Sequence, residues 1–232
     1  MERVSTGIMG LDELLRGGLP AGSMSLIIGP PGSGKSTLAR QVLYEALGKD
    51  RPGILVDTYE SFDLAKEVMT SYEWNETLVG KMVFVDCYSW RIGAQVGKYS
   101  GHPKDLTELS IVIDNLLSRE LTSDSRARLV IDSFSDFINH AGPERANKFL
   151  ESIKAKLAER KITSMVLLEE GLHEERVNAA AEYVADGTIR MKYEEAGRSL
   201  MVRRMIATPV NLKWIPFNLA RGVDLAVANY FR

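Results

Sequence analysis

Short apolar runs alternate along the chain with longer segments in which apolar residues recur every three or four positions. The runs have the length and continuous apolar character of strands that are buried on both faces of a parallel sheet. They comprise residues 24–28, 54–56, 82–85, 129–131 and 165–168. The longer segments, whose spacing is typical of amphipathic helices, lie within residues 38–47, 62–69, 106–117 and 146–157. This alternation predicts an α/β fold in which helices flank a mainly parallel central sheet.

The pattern changes after Val184, where apolar and polar residues begin to alternate singly. Residues 189–193 and 199–203 follow this pattern, which predicts a β-hairpin with Gly197 in its turn. We therefore expect antiparallel hairpin strands at the C-terminal edge of the sheet. Since no internal repeat and no linker interrupts the pattern, we expect a single domain over residues 1–232.

Residues 91–104 show neither a strand nor a helix pattern. They contain Gly93, Gly97 and Gly101, which predicts a loop. Asp105 follows this loop and precedes Glu108 by three positions, a spacing that is typical of a capping box at the start of a helix.

Composition excludes several classes of protein. Of the 232 residues, 45% are hydrophobic and 26% are charged, as in globular rather than disordered chains. No apolar run approaches the ~20 residues of a membrane helix, and residues 1–6 lack the build of a signal peptide. Cys87 is the only cysteine, so the chain can form no internal disulfide. We therefore expect a cytoplasmic protein that is not inserted into a membrane.

Residues 29–36 match the phosphate-binding pattern G-x-x-x-x-G-K-[ST] at every fixed position. The pattern follows a predicted strand and opens a predicted helix, whose positive end would face a phosphate chain. Its glycines let backbone N–H groups curl around the phosphates, Lys35 can reach the β- and γ-phosphates, and Ser36 can bind Mg²⁺. The alternative, a glycine-rich turn with a solvated lysine, does not require this strand–loop–helix context. The predicted ATP contacts are Gly29, Pro30, Pro31, Gly32, Ser33, Gly34, Lys35, Ser36 and Thr37.

A phosphate loop of this kind works with a carboxylate at the end of a neighbouring strand, which orients Mg²⁺. Asp132 follows the apolar run 129–131, and ligands of open α/β sheets bind at that edge. Asp132 is therefore the predicted magnesium residue together with Ser36. Asp57 and Asp86 also follow apolar runs, and each of these carboxylates could instead cap the next helix.

The sequence further resembles KaiC-like ATPases, which are relatives of the RadA and RecA recombinases. The resemblance covers nearly the whole chain and rests on an N-terminal segment, a Walker B strand and two C-terminal segments. These are Val4-Ser5-Thr6-Gly7-Ile8 with Gly10-Leu11-Asp12, Gly17-Gly18-Leu19-Pro20 with Gly22-Ser23, Arg128-Leu129-Val130-Ile131-Asp132-Ser133, Val184-Ala185-Asp186-Gly187-Thr188-Ile189, and Pro216-Phe217 with Gly222. The resemblance implies a RecA-like fold, ATP and Mg²⁺ as ligands, and a homo-oligomeric ring, often a hexamer, with ATP between neighbouring subunits. It also implies that Lys35, Ser36 and Asp132 hold the nucleotide and its metal.

Two departures from the family pattern bear on catalysis. KaiC-like proteins usually carry paired glutamates after the second core strand, whereas here Tyr59 precedes Glu60, which leaves Glu60 as the one carboxylate to activate water. The family also commonly carries Lys-x-Arg before Gly-Thr near the C-terminus, where the two cations reach the neighbour's γ-phosphate. Arg204 replaces the lysine and Ile206 removes the second charge. The resemblance thus implies catalytic roles for Glu60, Lys35 and Arg204 in a slow ATPase that couples ATP occupancy to ring assembly and to signalling to a protein partner.

Three other functions remain open at this point. A recombinase accessory protein would bind DNA through loops at residues 134–140 and 169–176, but the second segment holds four glutamates and one arginine, and the net charge is −2. A module that binds ATP without hydrolysing it would use ATP only to set assembly and partner docking. Autokinase activity occurs among KaiC-like proteins, but the sequence singles out no acceptor.

Overall fold

The computed structural model describes residues 1–94, 96–121 and 126–225. Its strands are β1 (Arg3–Val4), β2 (Leu19–Pro20), β3 (Met24–Gly29), β4 (Gly53–Asp57), β5 (Val83–Asp86), β6 (Tyr99–Ser100), β7 (Arg128–Asp132), β8 (Thr163–Glu169), β9 (Gly187–Glu194), β10 (Gly197–Met205), β11 (Ile215–Leu219) and β12 (Val223–Leu225). Its helices are α1 (Met9–Leu14), α2 (Lys35–Gly48), α3 (Phe62–Ser71), α4 (Glu76–Val79), α5 (Leu106–Glu120), α6 (Phe134–Ala141), α7 (Pro143–Glu159) and α8 (Glu175–Val184).

A ten-stranded sheet forms the centre of the fold, in the order β12-β11-β10-β9-β3-β8-β7-β4-β5-β6. Neighbouring strands in the part β9-β3-β8-β7-β4-β5-β6 pair in parallel. Neighbouring strands in the part β12-β11-β10-β9 pair in antiparallel fashion. Strands β1 and β2 form a separate antiparallel pair. The predicted fold class, a mainly parallel sheet with antiparallel strands at its C-terminal edge, is confirmed.

Two apolar layers cover the two faces of the sheet. Because successive side chains of a strand point to opposite faces, Ile27 of β3 packs in one layer while Leu26 and Ile28 pack in the other. Helices α1 to α4 contribute to the first layer, and α5 to α8 to the second. This arrangement explains why the central runs are apolar at every position.

Several predicted elements have the expected bounds to within a few residues. Asp105 caps α5, since its side chain accepts hydrogen bonds from the backbone N–H groups of Thr107 and Glu108. The hairpin is present as β9 and β10, although its turn consists of residues 195–196 and Gly197, at φ +108°, is the first residue of β10.

Two of the predicted loops are partly wrong. Residues 134–140 form helix α6 instead of a loop, because Phe134, Phe137 and Ile138 lie on one helical face and are buried against the second apolar layer. Residues 91–104 include the short strand β6, which extends the sheet beside β5. The acidic segment 169–176 begins with the last residue of β8 and ends in the first turn of α8.

The carboxyl ends of five parallel strands meet at one edge of the sheet, where ligands bind in open α/β folds. The last residues of these strands are Gly29, Asp57, Asp86, Asp132 and Glu169. The predicted phosphate loop therefore shares this edge with four carboxylates, of which Glu169 lies on the strand next to β3.

Candidate functional site

The loop between β3 and α2 is tightly curled. Gly32 and Gly34 have φ angles of +77° and +94°, in the left-handed region that favours glycine. A Cβ atom on Gly29 would lie 2.5 Å from the backbone oxygen of Met191, so the close packing of β3 on β9 excludes a larger residue there. The glycines of the motif are thus required by backbone geometry as well as by the space a phosphate needs.

The start of α2 has the properties of an anion-binding site. In the part of the chain that the structure describes, no side chain caps this helix end, and its first turn contains no acidic residue. The free N–H groups and the positive end of the helix dipole therefore face the loop. The hydroxyl of Ser33 is fully buried and has no hydrogen-bond partner among the described residues. A phosphate group fits such a set of donors.

Lys35 is buried and ion-paired inside the chain. Its Nζ atom lies 2.9 Å from Oε2 of Glu169 and donates a second hydrogen bond, of 3.0 Å, to the backbone oxygen of Pro30. Gly29 and Glu169 are paired residues of β3 and β8, which fixes the carboxylate beside the loop. Glu169 thus lies within reach of any phosphate that Lys35 could bind.

Asp132 faces the start of α2. Burial raises the pKa of its carboxyl group, and Arg40, Ser36 and Lys35 lie close enough to oppose that rise. The Ser36 hydroxyl and the Asp132 carboxylate are oxygen ligands of the kind that Mg²⁺ prefers when it also binds phosphate. The two predicted metal residues are therefore brought together.

Arg40 of α2 lies at the centre of a group of acidic residues that sequence reasoning missed. Its guanidinium contacts Oδ2 of Asp57 at 2.8 Å, Oε2 of Glu60 at 2.8 Å and Oδ2 of Asp132 at 3.4 Å. We call Asp57, Glu60 and Asp132 the carboxylate cluster. Burial would lower the pKa of Arg40, but the three carboxylates raise it, so Arg40 stays charged.

One guanidinium does not compensate three carboxylates fully. Burial, followed by the charge of Asp132, raises the pKa of Asp57 to about 7, and Arg40 opposes this rise. The Asp57 side chain is fully buried, whereas that of Glu60 is 24% exposed. Glu60 is therefore the member of the carboxylate cluster that water reaches most easily.

The three aspartates at strand ends differ in what they bind. One oxygen of Asp57 accepts the N–H groups of Tyr59 and Glu60, and one oxygen of Asp86 accepts those of Tyr88 and Ser89. Each therefore stabilises the turn after its strand. Asp132 makes no such turn contact among the described residues and instead faces α2, which supports its choice as the magnesium residue.

Tyr59 and Glu60 both follow β4, but neither is free to act simply as a base. Partial burial and the nearby carboxylates of Asp136, Glu169 and Asp132 raise the pKa of the Tyr59 phenol above its ordinary value. Tyr59 is therefore protonated at neutral pH. The Glu60 carboxylate is paired with Arg40.

Arg204 lies apart from the chain's own phosphate loop. In the sheet, Arg204 of β10 pairs with Thr188 of β9, and Thr188 pairs with Leu26 of β3. Leu26 lies three residues before Gly29. Its guanidinium donates hydrogen bonds of 2.6 Å to the backbone oxygens of Glu182 and Ala185 at the end of α8. Within one chain, Arg204 thus stabilises a helix end and does not join Lys35 and Glu60.

Two further contacts to the phosphate loop were not predicted. The hydroxyl groups of Thr37 and Tyr72 lie 3.1 Å apart, and the Tyr72 ring packs against Trp74 with ring centres separated by 5.5 Å. Arg198 of β10 donates a 2.8 Å hydrogen bond from Nε to the backbone oxygen of Gly32. The sequence signal for Tyr72 was a polar aromatic residue at the end of α3. No local sequence pattern indicates that Arg198 contacts the phosphate loop.

Within the described ranges of the chain, none of the helices combines the length and the apolar character needed to cross a membrane.

Comparison with known proteins agrees with the geometry. A family model described as "ATPase: KaiC" matches residues 4–226. A UPF0273 protein of Thermotoga maritima is 29% identical over 227 residues, which cover 94% of this chain and 93% of the relative. A UPF0273 protein of Pyrococcus furiosus is 30% identical over 230 residues, with coverage of 94% and 91%. The crystal structure of a KaiC-like protein from Pyrococcus horikoshii superposes with a TM-score of 0.80 at 26% identity, covering 97% of this chain and 99% of that one.

Proposed function

The chain belongs to the KaiC family of ATPases, and from that premise we propose that it binds ATP with Mg²⁺ at residues 29–37 and hydrolyses it slowly. ATP occupancy would set the assembly of a homo-oligomeric ring and signal to a protein partner. The observation that carries the proposal is the convergence of an uncapped helix start, the orphaned Ser33 hydroxyl and the Lys35 ammonium. All three suit a triphosphate.

Each residue of the loop has a role in this proposal. The backbone N–H groups from Gly32 onward and the Ser33 hydroxyl bind phosphate oxygens, while Lys35 leaves Glu169 and neutralises the β- and γ-phosphates. Ser36 and Asp132 would hold Mg²⁺, which would supply positive charge against the phosphates. Thr37, next in the helix, positions Tyr72 beside the nucleotide.

The Tyr72 ring is the proposed contact for the base. It belongs to an aromatic group in which Trp74 stacks on Tyr44 with ring centres 5.1 Å apart. An aromatic face beside the phosphate loop can stack on any nucleobase, so this contact supports nucleotide binding without selecting adenine.

Slow hydrolysis follows from the state of the groups that would activate water. Glu60 is the candidate base, but it is ion-paired with Arg40, and Tyr59 replaces a carboxylate beside it. Arg204 would have to reach the γ-phosphate of a neighbouring subunit, and Ile206 removes the second cation of the family pattern. A cation supplied by a neighbour can be worth ~10³-fold in rate.

The test combines two measurements on the purified chain, namely phosphate release and size-exclusion elution with and without ATP and Mg²⁺. We expect a larger assembly with ATP and a turnover well below one per second, which Glu60→Gln lowers further. Turnover of several ATP per second would contradict the slow active site.

The second candidate is an assembly module that does not hydrolyse ATP, and the Glu60–Arg40 ion pair favours it specifically. An ATP-dependent change of assembly without any phosphate release would identify that function. DNA binding has less support, because four glutamates surround the end of β8 and the start of α8 and repel phosphate. Binding of DNA in a gel-shift assay at about 0.1 M salt would support the DNA-binding function.

The cytoplasmic location, the hexameric ring and the single domain over residues 1–232 stay predictions. Elution of the ATP-bound chain at six times the protomer mass would support the hexamer.

A further inference from the structure

Arg40 occupies an unusual position for a charged residue. It lies on α2 five residues after Lys35, is 3% exposed, and points toward the ends of β4 and β7. Its neighbours Ala39 and Val42 on the same helix are apolar and buried. Burying a guanidinium costs desolvation, which only charged or hydrogen-bonded partners can offset. Arg40 is therefore buried together with the carboxylates that it contacts, and its effect on each of them can differ.

The three contacts of Arg40 hold carboxylates from two different segments. Asp57 and Glu60 come from β4 and the turn after it, and Asp132 comes from the end of β7. Two of the partners are fixed independently of Arg40. Asp57 is held by the backbone N–H groups of its own turn, and Asp132 is buried at a strand end. Glu60 is the more exposed partner, so Arg40 is the described contact that fixes its side chain.

We propose that Arg40 is a positioning residue that holds Glu60 in an ion pair and thereby limits the hydrolysis of bound ATP. The inference rests on the proposed function. A carboxylate oxygen that accepts a short hydrogen bond from a guanidinium is held in a fixed direction and is not available to accept a proton from water. Glu60 activates water only when it leaves Arg40. The slow site is therefore a consequence of a specific buried residue on the phosphate-loop helix, and not only of the tyrosine at position 59.

The experiment replaces Arg40 by methionine, which keeps the length of the side chain and removes its charge. Arg128→Met is the matched control, because Arg128 is also a buried arginine, 6% exposed, and lies at the opposite end of β7 from Asp132. For both variants and the unmodified chain, kcat and KM for ATP are measured, together with the Kd for labelled ATP. Glu60→Gln and the double variant Arg40→Met/Glu60→Gln complete a double-mutant cycle.

We expect Arg40→Met to raise kcat about tenfold, a fraction of the effect of a fully effective general base, with a much smaller change in Kd. Arg128→Met should leave kcat unchanged, and the double variant should lose the whole gain. A structural role would not produce a gain that depends on Glu60. An unchanged or lower kcat in folded Arg40→Met, with ATP binding intact, would overturn the inference.

Should Arg40→Met fail to fold, Arg40→Lys provides the test. A lysine keeps one positive charge but cannot bind three carboxylates with a planar fork, so we expect a several-fold rise in kcat. The absence of any rise would overturn the inference. Failure of the proposed function is distinguishable, since the unmodified chain would then not bind labelled ATP at all.

Discussion

The Nζ atom of Lys35 lies 2.9 Å from the Oε2 atom of Glu169, so the lysine that should bind phosphate is already paired with a carboxylate of the same chain. The Lys35 side chain is 5% exposed and that of Glu169 is 21% exposed, which limits screening of the pair by water. On the proposed function, ATP would have to break this ion pair in order to bind Lys35. The contact would then lower the affinity for ATP.

Replacing Glu169 by glutamine should tighten ATP binding. The variant keeps the size of the side chain but removes the charge that ATP displaces, and an ion pair of about 1 kcal/mol corresponds to roughly a fivefold lower Kd. Glu170→Gln is the control, because Glu170 pairs with Arg190 instead of Lys35. Isothermal titration with ATP measures both. Weaker binding by Glu169→Gln would mean that Glu169 assists the nucleotide.

Two variants of Tyr72 test whether its ring contacts the nucleotide base. Tyr72→Leu removes the ring, whereas Tyr72→Phe removes only the hydroxyl group near Thr37. We expect the leucine variant to bind ATP about fivefold more weakly, because stacking on an aromatic ring contributes about 1 kcal/mol. Its affinity for tripolyphosphate, which has no base, should not change. An equal loss for both ligands would show that Tyr72 acts on the loop and not on the base.

Asp132 should govern the magnesium-dependent part of ATP binding. Asp132→Asn keeps the shape of the side chain but removes the charge that faces Ser36 and Lys35. We expect the Kd for ATP to rise in the presence of Mg²⁺ and to change little in EDTA. Asp86→Asn is the matched control at another strand end, where the carboxylate stabilises a turn. Equal losses with and without Mg²⁺ would contradict the assignment.

The raised pKa of Asp57 predicts that the stability of the chain without nucleotide or metal depends on pH. Burial raises the pKa of Asp57 to about 7 in the folded chain, above the ordinary value of 3.8 that applies after unfolding. The folded state then binds the proton more tightly, so this contribution to stability is complete below pH 3.8 and is lost as the pH rises through about 7. The free energy of unfolding should therefore fall between pH 5 and pH 8.

Asp57→Asn removes this titration. Denaturant unfolding of both proteins at pH 5 and pH 8 should show a smaller decrease in the variant than in the unmodified chain. The same decrease in both would mean that Asp57 keeps an ordinary pKa in the folded protein.

The sequence predicts the phosphate loop well because every requirement of the loop is local. Glycines at fixed positions, a lysine and a serine lie within eight consecutive residues, and the flanking periodicities predict the strand and the helix. Asp132 could be predicted for a similar reason, since it directly follows an apolar strand.

The partners of these residues could not be predicted, because they are distant in sequence. Glu169 lies 134 positions after Lys35, and Asp132 lies 92 positions after Arg40. Only the order of β3, β8, β7 and β4 in the sheet brings them together. An arginine inside the predicted amphipathic segment 38–47 was a visible signal, but it does not reveal which carboxylates the side chain contacts.

Helix α6 was missed for a different reason. It begins two residues after the end of β7 and is eight residues long, so no loop separates the two elements and the periodicity extends over little more than two turns. The spacing of Phe134, Phe137 and Ile138 was the available signal.

The central claim, that the loop at the start of α2 holds ATP, is tested most directly by equilibrium binding of labelled ATP with Mg²⁺ to the Lys35→Ala variant. Lys49→Ala is the control, because Lys49 lies just beyond the other end of α2 and is 57% exposed. Loss of charge-assisted hydrogen bonds to phosphate should weaken binding about tenfold or more in Lys35→Ala. Lys49→Ala should bind like the unmodified chain. Undiminished affinity of Lys35→Ala for ATP would contradict the account.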